Sequence, residues 1–116
     1  MDRFVKGVGM TKFGIENKTS EEMCIEAIRE ALQDASMTPD DIDAVVISNV
    51  ASKMNSEKQR LFPSIMASLL RRQLPMIRVP AVCGGGGAAI WTAIKLKYNN
   101  ILVVGVDKVL DSPTPL

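Results

Sequence analysis

The sequence predicts one domain with an open, mostly parallel α/β sheet. Stretches rich in β-branched residues alternate with stretches whose apolar residues recur every three or four positions, as in helices. The connections between these stretches are short, and short right-handed crossovers give parallel strands. The predicted order is βαβαβαβ, with no internal repeat and no linker, so residues 1–116 are expected to form a single domain.

Four segments are predicted as strands. Ala44–Val50 is a nearly continuous β-branched run, which is typical of a strand buried on both faces. Pro75 and Pro80 cannot donate ladder hydrogen bonds, so the strand between them is confined to an edge or a bulged position. The four segments are Phe4–Val8, Ala44–Val50, Met76–Val82 and Ile101–Val106.

Three helices are predicted between the strands. The first begins at a capping box formed by Thr19 and Glu22 and ends near Ser36, before Thr38 and Pro39 open one further helical turn. Its apolar face consists of Met23, Cys24, Ala27, Ile28, Ala31 and Leu32. The second helix begins at Pro63, after an exposed loop over Ser52–Arg60, and ends at Arg71 and Arg72; the third follows a run of glycines and places Trp91 in the core.

Composition excludes several classes of function. Fourteen basic and thirteen acidic residues give a formal charge of +1, and no basic stripe indicates a nucleic-acid or anionic-membrane partner. No apolar run approaches the roughly 18 residues that cross a bilayer, and no secretory signal is present, so the expected location is the cytoplasm. The chain has no histidine, which removes the commonest general base and metal ligand. No bound cofactor or metal is expected.

Cys83 is the candidate nucleophile. It lies where the third predicted strand meets the third helix, and ligands of open α/β sheets gather outside the carboxyl ends of the strands. The partial positive charge and free N–H groups of a helix N-terminus lower the pKa of a cysteine placed there. Gly84, Gly85 and Gly86 leave room for a bulky acyl thioester and expose backbone N–H groups that can bind an oxyanion.

Other interpretations remain open at this stage. Free cysteine is often a small buried hydrophobe, and this is the expected role of Cys24 on its apolar helix face. Gly84–Gly87 could cradle a phosphate, although the run lacks the Gly-Lys-Ser/Thr ending of a P-loop. Asp40, Asp41 and Asp43 are interpreted as a solvated turn rather than a calcium site.

The stretch VPAVCGGGGAAIWTAI resembles the nucleophile region of thiolases, in which a strand leads into Cys-x-Ser-Gly-x-x-Ala and a helix. Cys83, Gly86 and Ala89 match this pattern, while Gly85 stands where thiolases usually have serine. Three further segments resemble archaeal and sterol-carrier-type thiolases in the same order: GVGMTKFG, TPDDIDAVVISNV and ILVVGVDKVLDSPT. The resemblance covers nearly the whole chain, but only the N-terminal half of the family.

The resemblance implies an acyl-coenzyme A acyltransferase of lipid metabolism. Cys83 would take an acyl group from the coenzyme A thioester, which is the substrate, and the carbanion of a second thioester would attack the acyl-enzyme. The family's catalytic histidine and second cysteine belong to its other half, so a partner chain or homo-oligomer is expected. The family also implies the strand order 3-2-1-4. The alternatives are a non-catalytic thiolase-like binding or assembly module and a small redox or phosphate-binding protein.

Overall fold

The computed structural model describes residues 2–12, 20–48, 71, 73–79 and 85–106. Two α-helices, a short 3-10 helix and three strands lie within these ranges. In chain order they are α1 (Ser20–Ala35), the 3-10 helix (Pro39–Asp41), β1 (Ala44–Ser48), β2 (Met76–Arg78), α2 (Gly85–Lys95) and β3 (Ile101–Gly105). The predicted capping residue Thr19, the predicted loop 52–60 and most of the second predicted helix lie outside the described residues.

The three described strands form a parallel sheet in the order β2-β1-β3. Val46 at the centre of β1 lies opposite Ile77 on one side and Val103 on the other. All five residues of β1 are buried, as the continuous β-branched run predicts. β2 occupies an edge of this sheet, which agrees with the prediction from its flanking prolines. The predicted α/β class with a parallel sheet is confirmed.

The two helices cover opposite faces of the sheet. Side chains alternate along β1, so Val45 and Ile47 face α1 while Val46 faces α2. The larger core cluster lies on the α1 side and consists of Cys24, Ile28, Leu32, Ile42, Val45, Ile47, Leu102 and Val104. On the other side, Ala89 and Ala93 pack against Val46. Because these two residues are alanines, α2 can approach the sheet closely.

The first helix ends where the sequence predicts. It ends through a backbone motif that the residue types at this position do not indicate. Ser36 adopts a left-handed conformation with φ of 55°. The Ser36 N–H donates to the Gln33 carbonyl at 3.1 Å, and the Met37 N–H donates to the Leu32 carbonyl at 2.9 Å. These two bonds form a Schellman motif, in which Met37 also packs against the core cluster on the α1 side. The predicted further turn follows, with the Thr38 N–H donating to Asp41 Oδ2 at 2.8 Å.

The predicted strand Phe4–Val8 is wrong, because residues 2–12 form no regular secondary structure. This segment runs antiparallel along α1. A Cβ on Gly7 or Gly9 would lie inside 3.0 Å of the α1 backbone, so the glycines allow the two chains to touch. The Val8 N–H donates to Asp34 Oδ2 at 2.9 Å, and the Met10 N–H donates to Glu30 Oε1 at 3.4 Å. Two carboxylates of α1 therefore accept hydrogen bonds from N–H groups that would otherwise donate to a neighbouring strand.

The expected order 3-2-1-4, which numbers the four predicted strands, is also wrong. The first predicted strand is absent from the described sheet. β1 pairs directly with β3 over five residues, from Ala44 opposite Ile101 to Ser48 opposite Gly105. Neighbouring strands lie only about 4.8 Å apart, so no strand fits between them. The segment Phe4–Val8, which was expected between β1 and β3, packs on α1 instead.

Arg3 extends the N-terminal segment to the second helix. Its guanidinium group donates to the carbonyl oxygens of Leu96 and Tyr98, just beyond the last residue of α2. The last carbonyls of a helix lack partners within the helix and carry a partial negative charge. The guanidinium group of an arginine supplies both hydrogen-bond donors and a compensating positive charge. Residues 2–12 therefore contact the C-terminal part of α1, from Ala27 to Ala35, and the residues that directly follow α2.

Candidate functional site

The candidate site lies at the edge of the sheet where the parallel strands end. Ser48 at the end of β1 lies opposite Gly105 at the end of β3, and the preceding residue of β1, Ile47, lies opposite Arg78. The second helix begins at this same edge, because its first residue, Gly85, packs against Ser48. Ligands of open α/β sheets bind at such an edge. The structure thus confirms that a helix begins beside the carboxyl ends of the strands.

Cys83 and Gly84 lie outside the described residues. Cys83 precedes the first residue of α2 by two positions in the sequence. The first-turn N–H groups of α2 belong to Gly85, Gly86, Gly87 and Ala88, and such groups have no partner within a helix. The described residues therefore provide the positive helix terminus on which the predicted activation of Cys83 depends.

The glycines of the first turn differ in their surroundings. Gly85 is buried, and a side chain there would meet Ser48. Gly86 and Gly87 are exposed, and a Cβ at either position would meet no described residue within 4 Å apart from its neighbours in the helix. The backbone around Gly86 and Gly87 is therefore open, while Gly85 is committed to packing against the sheet.

The prediction that Trp91 lies in the core is wrong, since its side chain is 64% exposed. The buried residues Gly85, Ala89 and Ala93 are spaced four apart and define the face of α2 that contacts the sheet. At 100° per residue, Trp91 points about 200° away from Ala89, to the opposite face. The Lys95 amine lies 5.5 Å from the centre of the Trp91 ring.

Two other large apolar side chains are exposed near Trp91 on α2. Ile90 is 55% exposed and Ile94 is 49% exposed. Together with Trp91 they form a continuous patch on α2, which is called the outer patch below. Monomeric proteins rarely expose large contiguous apolar patches, and such patches often mark interfaces.

Two other sequence-predicted groups have clear places in the structure. Cys24 is 2% exposed within the core cluster on the α1 side, so its predicted structural role is confirmed. Asp43, predicted as part of a solvated turn, instead accepts a hydrogen bond from the Asn100 N–H at 2.9 Å. The Asp43 N–H in turn donates to the Asn100 carbonyl at 2.8 Å, which fixes the beginning of β3 beside β1.

Sequence reasoning missed Ser48 as a member of this site. The signal was present, because Ser48 is a polar residue two positions after Val46 at the end of an apolar strand. Period-two alternation places it on the same face as Val46, toward α2. Among the residues that the structure describes, no cluster of acidic or cysteine side chains could hold a metal ion, and no helix is long and apolar enough to cross a membrane.

Comparison with known proteins agrees with this geometry. The family model described as "Thiolase, N-terminal domain" matches residues 4–115. A beta-ketoacyl-[acyl-carrier-protein] synthase III of Staphylococcus haemolyticus is 32% identical over 111 residues, which are 88% of this chain and 33% of that protein. An acetyl-CoA acetyltransferase of Methanothermobacter thermautotrophicus is 31% identical over 121 residues, covering 98% of this chain and 32% of that protein.

A solved structure shows the same fold. The crystal structure of 3-oxoacyl-[acyl-carrier-protein] synthase III from Aquifex aeolicus VF5 superimposes with a TM-score of 0.67 at 23% identity, covering 82% of this chain and 32% of that one. The chain belongs to the thiolase family, of which it contains the N-terminal domain. It spans about a third of the length of the curated relatives named here.

Proposed function

We propose that this chain is the N-terminal half of an acyl-coenzyme A acyltransferase in which Cys83 accepts the acyl group as a thioester. The observation that carries this proposal is the beginning of α2 at the carboxyl edge of the parallel sheet, two residues after Cys83. Family membership supports it, since named relatives are an acetyl-CoA acetyltransferase and ketoacyl synthases.

The helix terminus favours the first step of such a reaction. Thiolate rather than thiol is the nucleophile, and a thiolate is stabilised by the partial positive charge of a helix N-terminus. Attack on an acyl thioester places negative charge on the carbonyl oxygen, which free N–H groups can stabilise. The open backbone at Gly86 and Gly87 leaves space for the acyl-coenzyme A thioester, the proposed substrate.

The later steps need groups that this sequence does not contain. With no histidine among its 116 residues, the chain has no imidazole to take a proton from Cys83 or to activate a second substrate. We therefore place the remaining catalytic groups on a second, histidine-bearing half of the thiolase fold. When several residues catalyse a reaction as a unit, removing one of them typically lowers the reaction rate by several orders of magnitude.

The outer patch supports association with that half or with a second copy of the chain. Its three large apolar side chains lie on the face of α2 that the sheet does not cover. A cytoplasmic location remains a prediction from the reduced cysteine chemistry that the reaction requires.

Labelling of Cys83 tests the proposal. We expect iodoacetamide to modify Cys83 with an apparent pKa below the value of about 8.5 for a free thiol. We also expect acetyl-coenzyme A to leave one acetyl group on Cys83, detected by mass spectrometry of the intact chain and its peptides. Sustained turnover is not expected from the chain alone.

Cys24 is a poor reference because burial protects it from any reagent. The matched control is Arg29→Cys in a Cys83→Ser background, which places an exposed thiol at mid-helix, away from either helix end. Equal apparent pKa values for Cys83 and this control thiol would contradict the proposal. The non-catalytic binding module would then be favoured, and it predicts binding of acyl-coenzyme A without covalent transfer.

A further inference from the structure

We draw no further inference here: the strongest candidate, the exposed apolar surface of α2 formed by Ile90, Trp91 and Ile94, belongs to the association surface already described, and nothing in the structure shows what covers it.

Discussion

Ser36 holds a conformation that its side chain disfavours. Its φ of 55° lies in the left-handed region, where a Cβ costs roughly 1–2 kcal/mol. Its two helix-ending hydrogen bonds come from the backbone of residues 36 and 37, so they do not need the serine side chain. We expect Ser36→Gly to raise the free energy of unfolding by about 0.5–1 kcal/mol, measured by urea denaturation at 25 °C.

The control for this prediction is Ser36→Ala. Alanine keeps the Cβ and therefore the strain, so it should give no comparable gain. A glycine variant no more stable than the alanine variant would show that the left-handed conformation costs little here.

Residue-scale features were predicted unevenly. The burial of Cys24 followed from its place on an apolar helix face, and the end of α1 followed from Thr38 and Pro39. The left-handed turn at Ser36 could not be predicted, because serine gives none of the signal that glycine gives at such a position. Trp91 was misplaced because Ala88, Ala89 and Ala93 in the same helix were expected to allow close packing around it, whereas its angle around the helix places it opposite Ala89 and Ala93.

The N-terminal segment depends on close backbone contact with α1. A Cβ added to Gly9 would meet the Ala27 carbonyl oxygen and the Ala31 amide nitrogen, neither of which can move without bending the helix. We expect Gly9→Ala to lower the free energy of unfolding by about 1–3 kcal/mol. Amide exchange at Val8 and Met10 should also become faster, because their N–H bonds to α1 carboxylates would be broken.

Gly105→Ala is the control for this element. Among the described residues, a Cβ at Gly105 would meet nothing within 4 Å beyond its neighbours in the chain, so the substitution should be close to neutral. Equal losses in the two variants would mean that glycine flexibility, rather than contact with α1, explains the result.

Helices and strands were predicted correctly where the sequence pattern of a segment fitted only one type of secondary structure. The runs that became β1 and β3 are too apolar and β-branched for a surface helix, and both are strands. Phe4–Val8 was ambiguous, since an extended segment shows the same short apolar pattern whether its N–H groups meet a strand or a helix. Its partner was decided by Gly7, Gly9 and two carboxylates on α1, which a local pattern does not reveal.

The outer patch makes a prediction about the whole molecule. We expect Trp91→Gln combined with Ile94→Gln to weaken self-association or complex formation, because these side chains lose apolar area that an interface would bury. Sedimentation velocity over a concentration series measures this directly. The control is Phe4→Ser, which removes an even more exposed apolar side chain outside the patch. Equal weakening by both would indicate nonspecific adhesion.

At the scale of the whole molecule, the α/β class and the beginning of α2 at the carboxyl edge of the sheet followed from the order of elements alone. The strand order did not, because the sequence shows which segments are strands but not which strands are neighbours. Ser48 was missed for the same reason. Its importance depends on contact with Gly85, 37 positions along the chain, and only the fold brings the two together.

The central place of β1 has a consequence for synthesis of the chain. β1 leaves the ribosome before either of its neighbours, since Val46 pairs with Ile77 and with Val103, which follows about 57 residues later. At about 5–20 residues per second, both edges stay unpaired for roughly 2–6 seconds, until Ile77 is made, and the edge beside β3 stays unpaired for roughly 3–11 seconds. During that interval the nascent chain offers two open strand edges to other chains. Slowed translation after Ser48 should therefore increase aggregation, and a chaperone that binds extended apolar segments should reduce it.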